Sequence, residues 1–500
     1  MKPTQQHTLP PDVSFDGGDL DCGNGLLLLI RKHIDPMARG QLLEIKSTEI
    51  SVDEDLPAWC RLTGNELVSF IKDGKQRSFL VCKGKLDERR SATAQSARPV
   101  TPVAPFITAP PRSRIPAPAI PPLAVMGIGS WPRPRWMIEA MHNYVEGRLD
   151  ENAFEDTAND AVRLVAAAQD RADVDVMTDG EQRRDSYASF VATRLDNCQL
   201  IPLTDLLPLV DHPEEFEREL RALDVPAADV RHPAVFGRVG RSRPLVVHEF
   251  DFLRTLTDKP IKVALPGPYL LTRTMWMECL QERAYDTREQ LAEDIVLALR
   301  AELADLVDAG VSMIQFDEPV LSEVVFSGPK SRPSFMCGAL SESHGPEYEL
   351  GFARDLVNAV VEGMPRERTA IHVCRGNWTP DESVALTGSY EPLLATLRAM
   401  RVGAYLLEMC TPRAGEMYLL RSLPTDARIG VGVVNQKCRD TEIPADVATR
   451  INRAIELFGV ERVLLHPDCG FATFADSPIC GSSSAEEKLA VIAEAVERIR

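Results

Sequence analysis

The sequence has no apolar run long enough to cross a lipid bilayer. Its longest compact run, Leu26–Ile30, is far shorter than the ~20 residues that a spanning helix needs. The N-terminus also lacks an apolar segment after its first lysine, so it does not resemble a secretory signal. These two absences predict a cytoplasmic protein without a membrane partner.

Positive charge is in short supply as well. The chain has 56 Lys and Arg residues against 74 Asp and Glu, a net charge of −18. Such a surface repels the phosphates of nucleic acids, so we expect no nucleic-acid partner. The eleven cysteines are odd in number and irregularly spaced. In a reducing cytosol they remain thiols, which can serve as metal ligands or nucleophiles.

Proline clusters in one stretch of the chain and divides it. Nine of the 37 prolines lie between Pro99 and Pro122, in a segment that is otherwise rich in Ala, Ser and Thr. Such a composition cannot form a packed core and favours extended backbone. We therefore predict a small domain at residues 12–86, a linker at 87–122 and a large domain at 123–500.

The small domain is predicted to be an α+β fold. Short β-rich and helical patterns follow one another, and a hairpin turn at Asp73-Gly74 joins the last two strands. In chain order the predicted elements are the strand Val13–Phe15, the helix Leu26–Ile34, the strand Leu42–Ser47, the helix Pro57–Leu62, and the strands Leu67–Ile71 and Ser78–Cys82.

The large domain repeats a strand-then-helix rhythm. Eight β-rich runs end in polar or glycine-rich loops: Ala124–Gly129, Val174–Thr178, Ile261–Leu265, Ser312–Phe316, Thr369–Val373, Ala404–Leu407, Arg428–Val433 and Arg462–Leu465. Helical patterns such as Asp286–Ala309 and Ser484–Arg500 follow them. This count predicts an α/β fold, a (βα)8 barrel, with its main insertion at Phe190–Val247. A doubly wound sheet is the alternative, but no G-x-G-x-x-G turn follows a predicted strand.

Metal-binding residue types gather where the predicted strands end. In a (βα)8 barrel these ends share the face that carries the active site. His372 and Cys374 alternate at one strand end, so both point to the same side, and Glu408 and Cys469 end two others. One imidazole, one carboxylate and two thiolates suit tetrahedral Zn²⁺. We therefore predict a zinc site.

The arginine pair Arg183-Arg184, which follows Asp179-Gly180-Glu181 in the sequence, is interpreted as a solvated charge pair.

These motifs resemble the catalytic domain of cobalamin-independent methionine synthase and its short homologues. The resemblance covers nearly all of residues 123–500 and rests on Ile128-Gly129-Ser130, Asp179-Gly180-Glu181, Gly267-Pro268, the stretches 315–319 and 372–377, Leu407-Glu408 and the stretch 466–470. It implies Zn²⁺ on the four residues above. It also implies a homocysteine site, with Ser130 for the carboxylate and with Glu181 and Asp317 for the amine.

The seventh strand end bears on the methyl donor. Asn435 and Lys437 stand there as candidate catalytic residues, where the long synthases of the family have Asp and His. Lys437 is typical of the short homologues, and the chain has no room for the second barrel that helps the long synthases hold folate. A folate, a methyl-corrinoid protein and an S-methyl compound all stay open as the donor.

The small domain has motifs of its own. Leu20-Asp21-Cys22, the basic pair Arg31-Lys32 and the stretch 55–60 resemble the TusA-type sulfur carriers. The resemblance implies a two-layer fold and a persulfide on Cys22, which would exchange sulfur with a relay protein. A thiol at a helix start has a lowered pKa and is a good nucleophile. The family has Cys-Pro-x-Pro where this chain has Cys22-Gly23-Asn24-Gly25, so a docking module is the alternative.

The sequence as a whole predicts a zinc-dependent methyltransferase that methylates a thiol, homocysteine first, in methionine biosynthesis. One alternative is dealkylation of an organosulfur compound, coupled to sulfur transfer through the small domain. Another is a non-catalytic sulfur-relay protein, against which the intact ligand set argues. A uroporphyrinogen-decarboxylase-like barrel would share the fold but does not need this ligand set.

Overall fold

The computed structural model describes residues 7–20, 26–86, 89, 115–202, 231–276, 284–326 and 344–499. Cys22, the predicted sulfur-carrying residue, lies outside these ranges. Within them, no helix is both long and apolar enough to cross a bilayer.

The small domain is a four-stranded sheet packed against two helices. Its strands are β1 (Val13–Asp16), β2 (Leu42–Ser47), β3 (Glu66–Asp73) and β4 (Gln76–Cys82), and its helices are α1 (Leu26–Ile34) and α2 (Val52–Leu62). The strand order is β1-β2-β4-β3, with β1 parallel to β2 and the other pairs antiparallel. Leu43 and Ile45 alternate with outward residues of β2 and share one core with Ile30 and Leu56 of the helices.

Helix α2 begins five residues earlier than predicted. The sequence predicts this helix over Pro57–Leu62. The structure starts the helix at Val52 and leaves Pro57 inside it. Val52 and Leu56 lie four residues apart and are both fully buried. The core contact of these two side chains therefore outweighs the hydrogen bond that the proline nitrogen cannot make.

The large domain is built on a parallel sheet. The strands of this domain are β5 (Ala124–Val125), β6 (Asp196–Pro202), β7 (Arg231–Gly240), β8 (Lys262–Pro266), β9 (Met313–Asp317), β10 (Thr369–Val373), β11 (Ala404–Leu407), β12 (Arg428–Val434) and β13 (Val463–Pro467). Seven of them form a sheet in the order β5-β13-β12-β11-β10-β9-β8, while β6 and β7 form a separate two-stranded antiparallel sheet inside the predicted insertion. The second predicted strand, Val174–Thr178, is not a regular strand. It contributes isolated parallel bridges from Val176 to Met126 and from Met177 to Ile261, which link the two edges of the sheet, consistent with a (βα)8 barrel.

Helices follow the strands of this sheet. They are α3 (Arg135–Val145), α4 (Glu151–Arg171), α5 (Val247–Arg254), α6 (Pro268–Met275), α7 (Arg288–Ala309), α8 (Val320–Phe326), α9 (Pro346–Val361), α10 (Leu394–Ala399), α11 (Pro444–Phe458) and α12 (Ser482–Glu497), with 3-10 turns at Ser189–Thr193, Arg366–Arg368, Glu382–Val384, Glu391–Leu393, Pro412–Ala414, Met417–Ser422 and Val460–Arg462. Thr287 caps α7 by accepting a hydrogen bond from the Gln290 amide, and Gly310 ends it with a φ of 92°.

Alternation along the strands divides the core into an inner and an outer layer. Ala370 and Met313 belong to the cluster enclosed by the sheet, whereas Ile371 and Phe316 join the cluster under the surrounding helices. The end of the linker covers this inner cluster, because Ile120 packs on it and Arg428 donates to the carbonyl oxygens of Ile120 and Pro121 at 2.9 and 2.6 Å. Every second residue of a strand faces the inside of the sheet, and only these residues can reach the site from the strands.

Candidate functional site

Three of the four predicted metal ligands form a buried cluster. His372 lies two residues after the inward-facing Ala370 on β10 and so faces inward as well. Cys374 follows the same strand, and Cys469 follows β13. Their ligand atoms all lie within 4.8 Å of one another, and all three side chains are buried. The alternation of β10 therefore places one imidazole and one thiol on the same side, and the end of β13 adds the second thiol.

The two nitrogens of the His372 ring have different surroundings. Nδ1 lies 2.8 Å from Oδ1 of Asp317, whereas Nε2 is buried and has no hydrogen-bond partner among the described residues. An imidazole that binds a metal through one nitrogen ordinarily donates a hydrogen bond from its other ring N–H, often to a carboxylate as here. A bare nitrogen beside two thiols is a donor set that fits Zn²⁺.

The two thiols influence each other. The hydrogen bond from Cys469 to the Cys374 sulfur lowers the pKa of Cys374, and the same contact raises the pKa of Cys469. One thiol of the pair therefore ionises much more readily than the other. A cation between them would stabilise both thiolates, because thiols that coordinate a metal lose their protons.

Glu408 is not part of the ligand cluster. Its Oε1 accepts from Nε of Arg413 at 2.8 Å, and its Oε2 accepts from Nδ2 of Asn377 at 2.7 Å and from the Arg375 amide at 3.2 Å. Burial, followed by the charge of Asp468, raises the pKa of this carboxyl well above its usual range. Its role as the fourth ligand stays a prediction.

A cleft of about 520 Å³, including its open mouth, leads to the cluster. The predicted substrate residues Ser130, Glu181 and Asp317 line it together with His372, Cys374 and Cys469. Two glycines make room for this arrangement. A Cβ on Gly129 would lie 2.1 Å from Oε1 of Glu181, and a Cβ on Gly470 would lie 2.3 Å from Oγ of Ser130.

Glu181 is a buried carboxyl held in an unusual backbone conformation. Its φ is +55°, and within the described part of the chain its Oε2 has no hydrogen-bond partner. Burial raises its pKa to about 7, although Arg184 lies 3.9 Å from Oε1 and opposes the shift. A carboxyl that is kept short of partners in a cleft is typical of a ligand-binding group.

The interpretation of Arg183-Arg184 as a solvated pair is wrong. Both side chains are buried. Arg183 pairs with Glu155, and Arg184 pairs with Glu249 of α5 at 2.7 Å. Helix α5 follows the insertion and is distant in sequence, so local sequence gave no sign of this partner.

The predicted catalytic residues Asn435 and Lys437 are not among the residues that line the cleft. Nζ of Lys437 donates to the Asp381 carbonyl at 3.2 Å, and burial and then Arg413 lower its pKa. The Asn435 side chain accepts from the Lys437 amide at 2.9 Å and donates to Glu382. These contacts organise the seventh loop, and the catalytic roles of both residues stay predictions.

Sequence reasoning missed several residues that surround the site. Arg413 and Asn377 hold Glu408, and Trp378 lines the cleft. Lys262 lies fully buried on β8, where it donates to Gln315. Only Lys262 had a signal in the sequence, since a lysine inside the apolar run Ile261–Leu265 is unusual for a buried strand.

Comparison with known proteins supports the resemblance of the large domain. Residues 123–205 and 220–343 match the family described as "Cobalamin-independent synthase, Catalytic domain". The large domain is similar to the cobalamin-independent methionine synthases. The methionine synthase of Saccharolobus solfataricus is 27% identical over 353 residues, which are 70% of this chain and 89% of that protein. The methionine synthase of Sulfolobus acidocaldarius is 28% identical over 346 residues, 69% of this chain and 84% of that protein.

Solved structures support the same fold. A B12-independent methionine synthase from Shewanella sp. W3-18-1, in complex with selenomethionine, matches 76% of this chain and 98% of its own with a TM-score of 0.58 and 23% identity. The vitamin-B12-independent methionine synthase described for Listeria monocytogenes matches 77% of this chain and 99% of its own with a TM-score of 0.55 and 19% identity.

Proposed function

We propose that the large domain is a zinc-dependent methyltransferase that activates a thiol, with homocysteine as the favoured acceptor. The observation that carries the proposal is the buried cluster of His372, Cys374 and Cys469 at the floor of a cleft whose walls carry Ser130, Glu181 and Asp317. The similarity to cobalamin-independent synthases supports a methyltransferase.

The walls of the cleft suit an amino acid. Oδ1 of Asp317 accepts from Gln315 and His372, and no described residue donates to its Oδ2. Together with Oε2 of Glu181 it offers two carboxylate oxygens to an ammonium group, and such charge-assisted hydrogen bonds are strong. Oγ of Ser130 accepts from the Ala472 amide at 3.2 Å, which leaves its hydroxyl hydrogen to donate to a substrate carboxylate.

The residues of the cluster supply the chemistry. Bound Zn²⁺ would lower the pKa of a substrate thiol, so that the sulfur is a thiolate nucleophile at neutral pH. His372, Cys374 and Cys469 would hold the ion, and Glu408 would complete the set by exchanging its contact with Arg413. Lys437, whose pKa is lowered by burial and then by Arg413, would give a proton to the departing donor.

The methyl donor separates the remaining possibilities. A methylated folate, a methyl-corrinoid protein and an S-methyl compound each remain candidates, and the reverse reaction would dealkylate an organosulfur compound. The decisive experiment is a methyl-transfer assay with homocysteine against this panel of donors, with zinc measured in the same sample. Transfer from any donor that tracks zinc content supports the proposal. A zinc-loaded protein that does not methylate homocysteine with a donor of any of the three classes contradicts it.

Sulfur delivery by the small domain is a separate proposal. It depends on Cys22, so its test is mass spectrometry of the full chain after incubation with a cysteine desulfurase and cysteine. A persulfide on Cys22 supports a relay to the large domain. An unmodified Cys22 supports the docking-module alternative.

A further inference from the structure

A row of inward-facing side chains connects the interior of the barrel to the His372 ring. Nζ of Lys262 lies 2.6 Å from Oε1 of Gln315, and Nε2 of Gln315 lies 2.7 Å from Oδ1 of Asp317. The same Oδ1 lies 2.8 Å from Nδ1 of His372. The strand register aligns them, because His372 is directly opposite Asp317, and Gln315 lies one inward-facing position below Asp317 on β9.

The chemistry of lysine gives this row a direction. Burial lowers the pKa of Lys262 to about 7, and in either protonation state its Nζ has hydrogens to donate to Gln315 and to the Ile128 carbonyl at 2.8 Å. The oxygen of the Gln315 amide faces Lys262, and its NH₂ group faces Asp317. The Asp317 oxygen accepts from Gln315 and so can accept from His372 as well. Nδ1 of His372 then carries the hydrogen, and Nε2 is left with a free lone pair.

We propose that Lys262 and Gln315 are positioning residues of the metal site, which act through Asp317 to fix the tautomer and orientation of the His372 ring. This inference rests on the proposed zinc-binding function. Among the described residues, the hydrogen bonds of the Lys262 and Gln315 side chains go to Ile128, to each other and to Asp317, so their hydrogen-bonded route to the His372 ring runs through Asp317. The same contacts orient Asp317, and they leave its Oδ2 turned to the cleft for the acceptor.

The competing interpretation is that Lys262 and Gln315 only fill the barrel with satisfied polar groups. The two interpretations differ in what the loss of one residue does to a folded protein. A purely structural pair changes the free energy of unfolding and leaves metal affinity alone. Residues that support a metal ligand typically change metal affinity about 10- to 100-fold when they are replaced.

The test is a double-mutant cycle on zinc affinity in the full chain. Lys262→Met and Gln315→Met remove the polar groups at nearly constant length, and the double variant removes both. Zinc affinity is measured by chelator competition at one pH, on protein whose thermal unfolding is recorded in parallel. We expect each single variant to bind zinc about tenfold or more weakly. The double variant should lose no more than the weaker-binding single one, because residues in one network are not additive.

A matched control is Gln169, which is also fully buried and also uses both ends of its amide, on Thr178, but has no link to His372. Gln169→Met should lower stability without changing zinc affinity. Unchanged affinity in the Lys262 and Gln315 variants, additive losses, or an equal loss in Gln169→Met would each overturn the positioning role. A wild-type protein that binds no zinc would instead overturn the proposed function.

Folding failure of Lys262→Met does not stop the test. Gln315→Glu keeps an acceptor for Lys262 but turns the donor that faces Asp317 into an acceptor. Zinc affinity that falls in Gln315→Glu as far as in Gln315→Met supports the inference. Full affinity in either variant rejects it.

Discussion

The charge on Glu181 should decide how tightly the cleft holds an amino acid. Glu181→Gln preserves the shape of the side chain and removes its charge. The carboxyl is buried, its Oε2 has no hydrogen-bond partner among the described residues, and its Oε1 lies where a Cβ on Gly129 would stand. An amine bound here would therefore lose one of its two carboxylate partners and keep Asp317.

The size of the effect follows from burial and protonation. Loss of one partner of a buried, hydrogen-bonded charge pair costs about 2–5 kcal/mol. The low end applies here, because Asp317 remains and because burial raises the pKa of Glu181 to about 7, so that only part of the population is charged at neutral pH. About 2 kcal/mol corresponds to a roughly 30-fold weaker Kd.

The assay is calorimetric titration with methionine, which has the amine and the carboxylate of the acceptor but no thiol to ionise. In the metal-free protein, Glu181 is mainly protonated at pH 6 and mainly ionised at pH 8, because its pKa is raised to about 7. Wild-type affinity should therefore rise over this range, and the affinity of Glu181→Gln should rise less.

A neighbouring carboxyl provides the control. Glu318 is also buried, with a pKa raised by burial to about 8, but it accepts from the Tyr269 and Leu270 amides at the start of α6. Glu318→Gln should lower the thermal stability and leave methionine binding unchanged. The reasoning fails if Glu181→Gln binds methionine as well as the wild type does, or keeps the same rise with pH.

Three further predictions concern the metal, the seventh loop and the linker. Cys374→Ser and Cys469→Ser should lose zinc, as measured by elemental analysis, yet remain folded by circular dichroism, because the barrel core does not depend on the ion; stoichiometric zinc in both variants would contradict the ligand set. Lys437→Met should slow methyl transfer about 100-fold, the range of a general acid, with zinc content unchanged, and normal turnover would remove Lys437 from the mechanism. Arg428→Met should lower the free energy of unfolding by about 1–3 kcal/mol in urea titration, because two carbonyl groups of the linker lose a charged donor, and an unchanged midpoint would show that the linker end adds no stability.

The sequence was informative where the two-residue alternation of a strand determines the side to which its side chains point. The alternation of β10 predicted that His372 and Cys374 face one side, and the structure places both in the same buried cluster. The order of strands and the ends of β10 and β11 also agree with the prediction, since apolar runs of four or five residues mark buried parallel strands. Residues on separate strand ends converge because the barrel brings those ends to one face.

The sequence was uninformative where a partner comes from a distant segment. The burial of Arg184 depends on Glu249, which is 65 residues away and lies beyond the insertion. The position of Glu408 depends on Arg413 in its own loop and on Asn377 from the neighbouring strand end. The residue type predicted that Glu408 could bind a metal, but its contact with Arg413 depends on how the loops pack and could not be predicted from the sequence.

The buried carboxyl groups around the site should couple the binding of the metal to the binding of the substrate. Burial raises the pKa values of Asp179, Glu181 and Asp468, to about 6, 7 and 6, so part of this charge is suppressed by protons. A divalent ion at His372, Cys374 and Cys469 would favour the ionised forms and release those protons. Zinc should therefore move the rise in methionine affinity to lower pH, and by reciprocity methionine should tighten zinc binding by the same factor. Chelator competition with and without methionine measures that factor. Equal zinc affinities in the two conditions would mean that the metal and Glu181 do not sense each other.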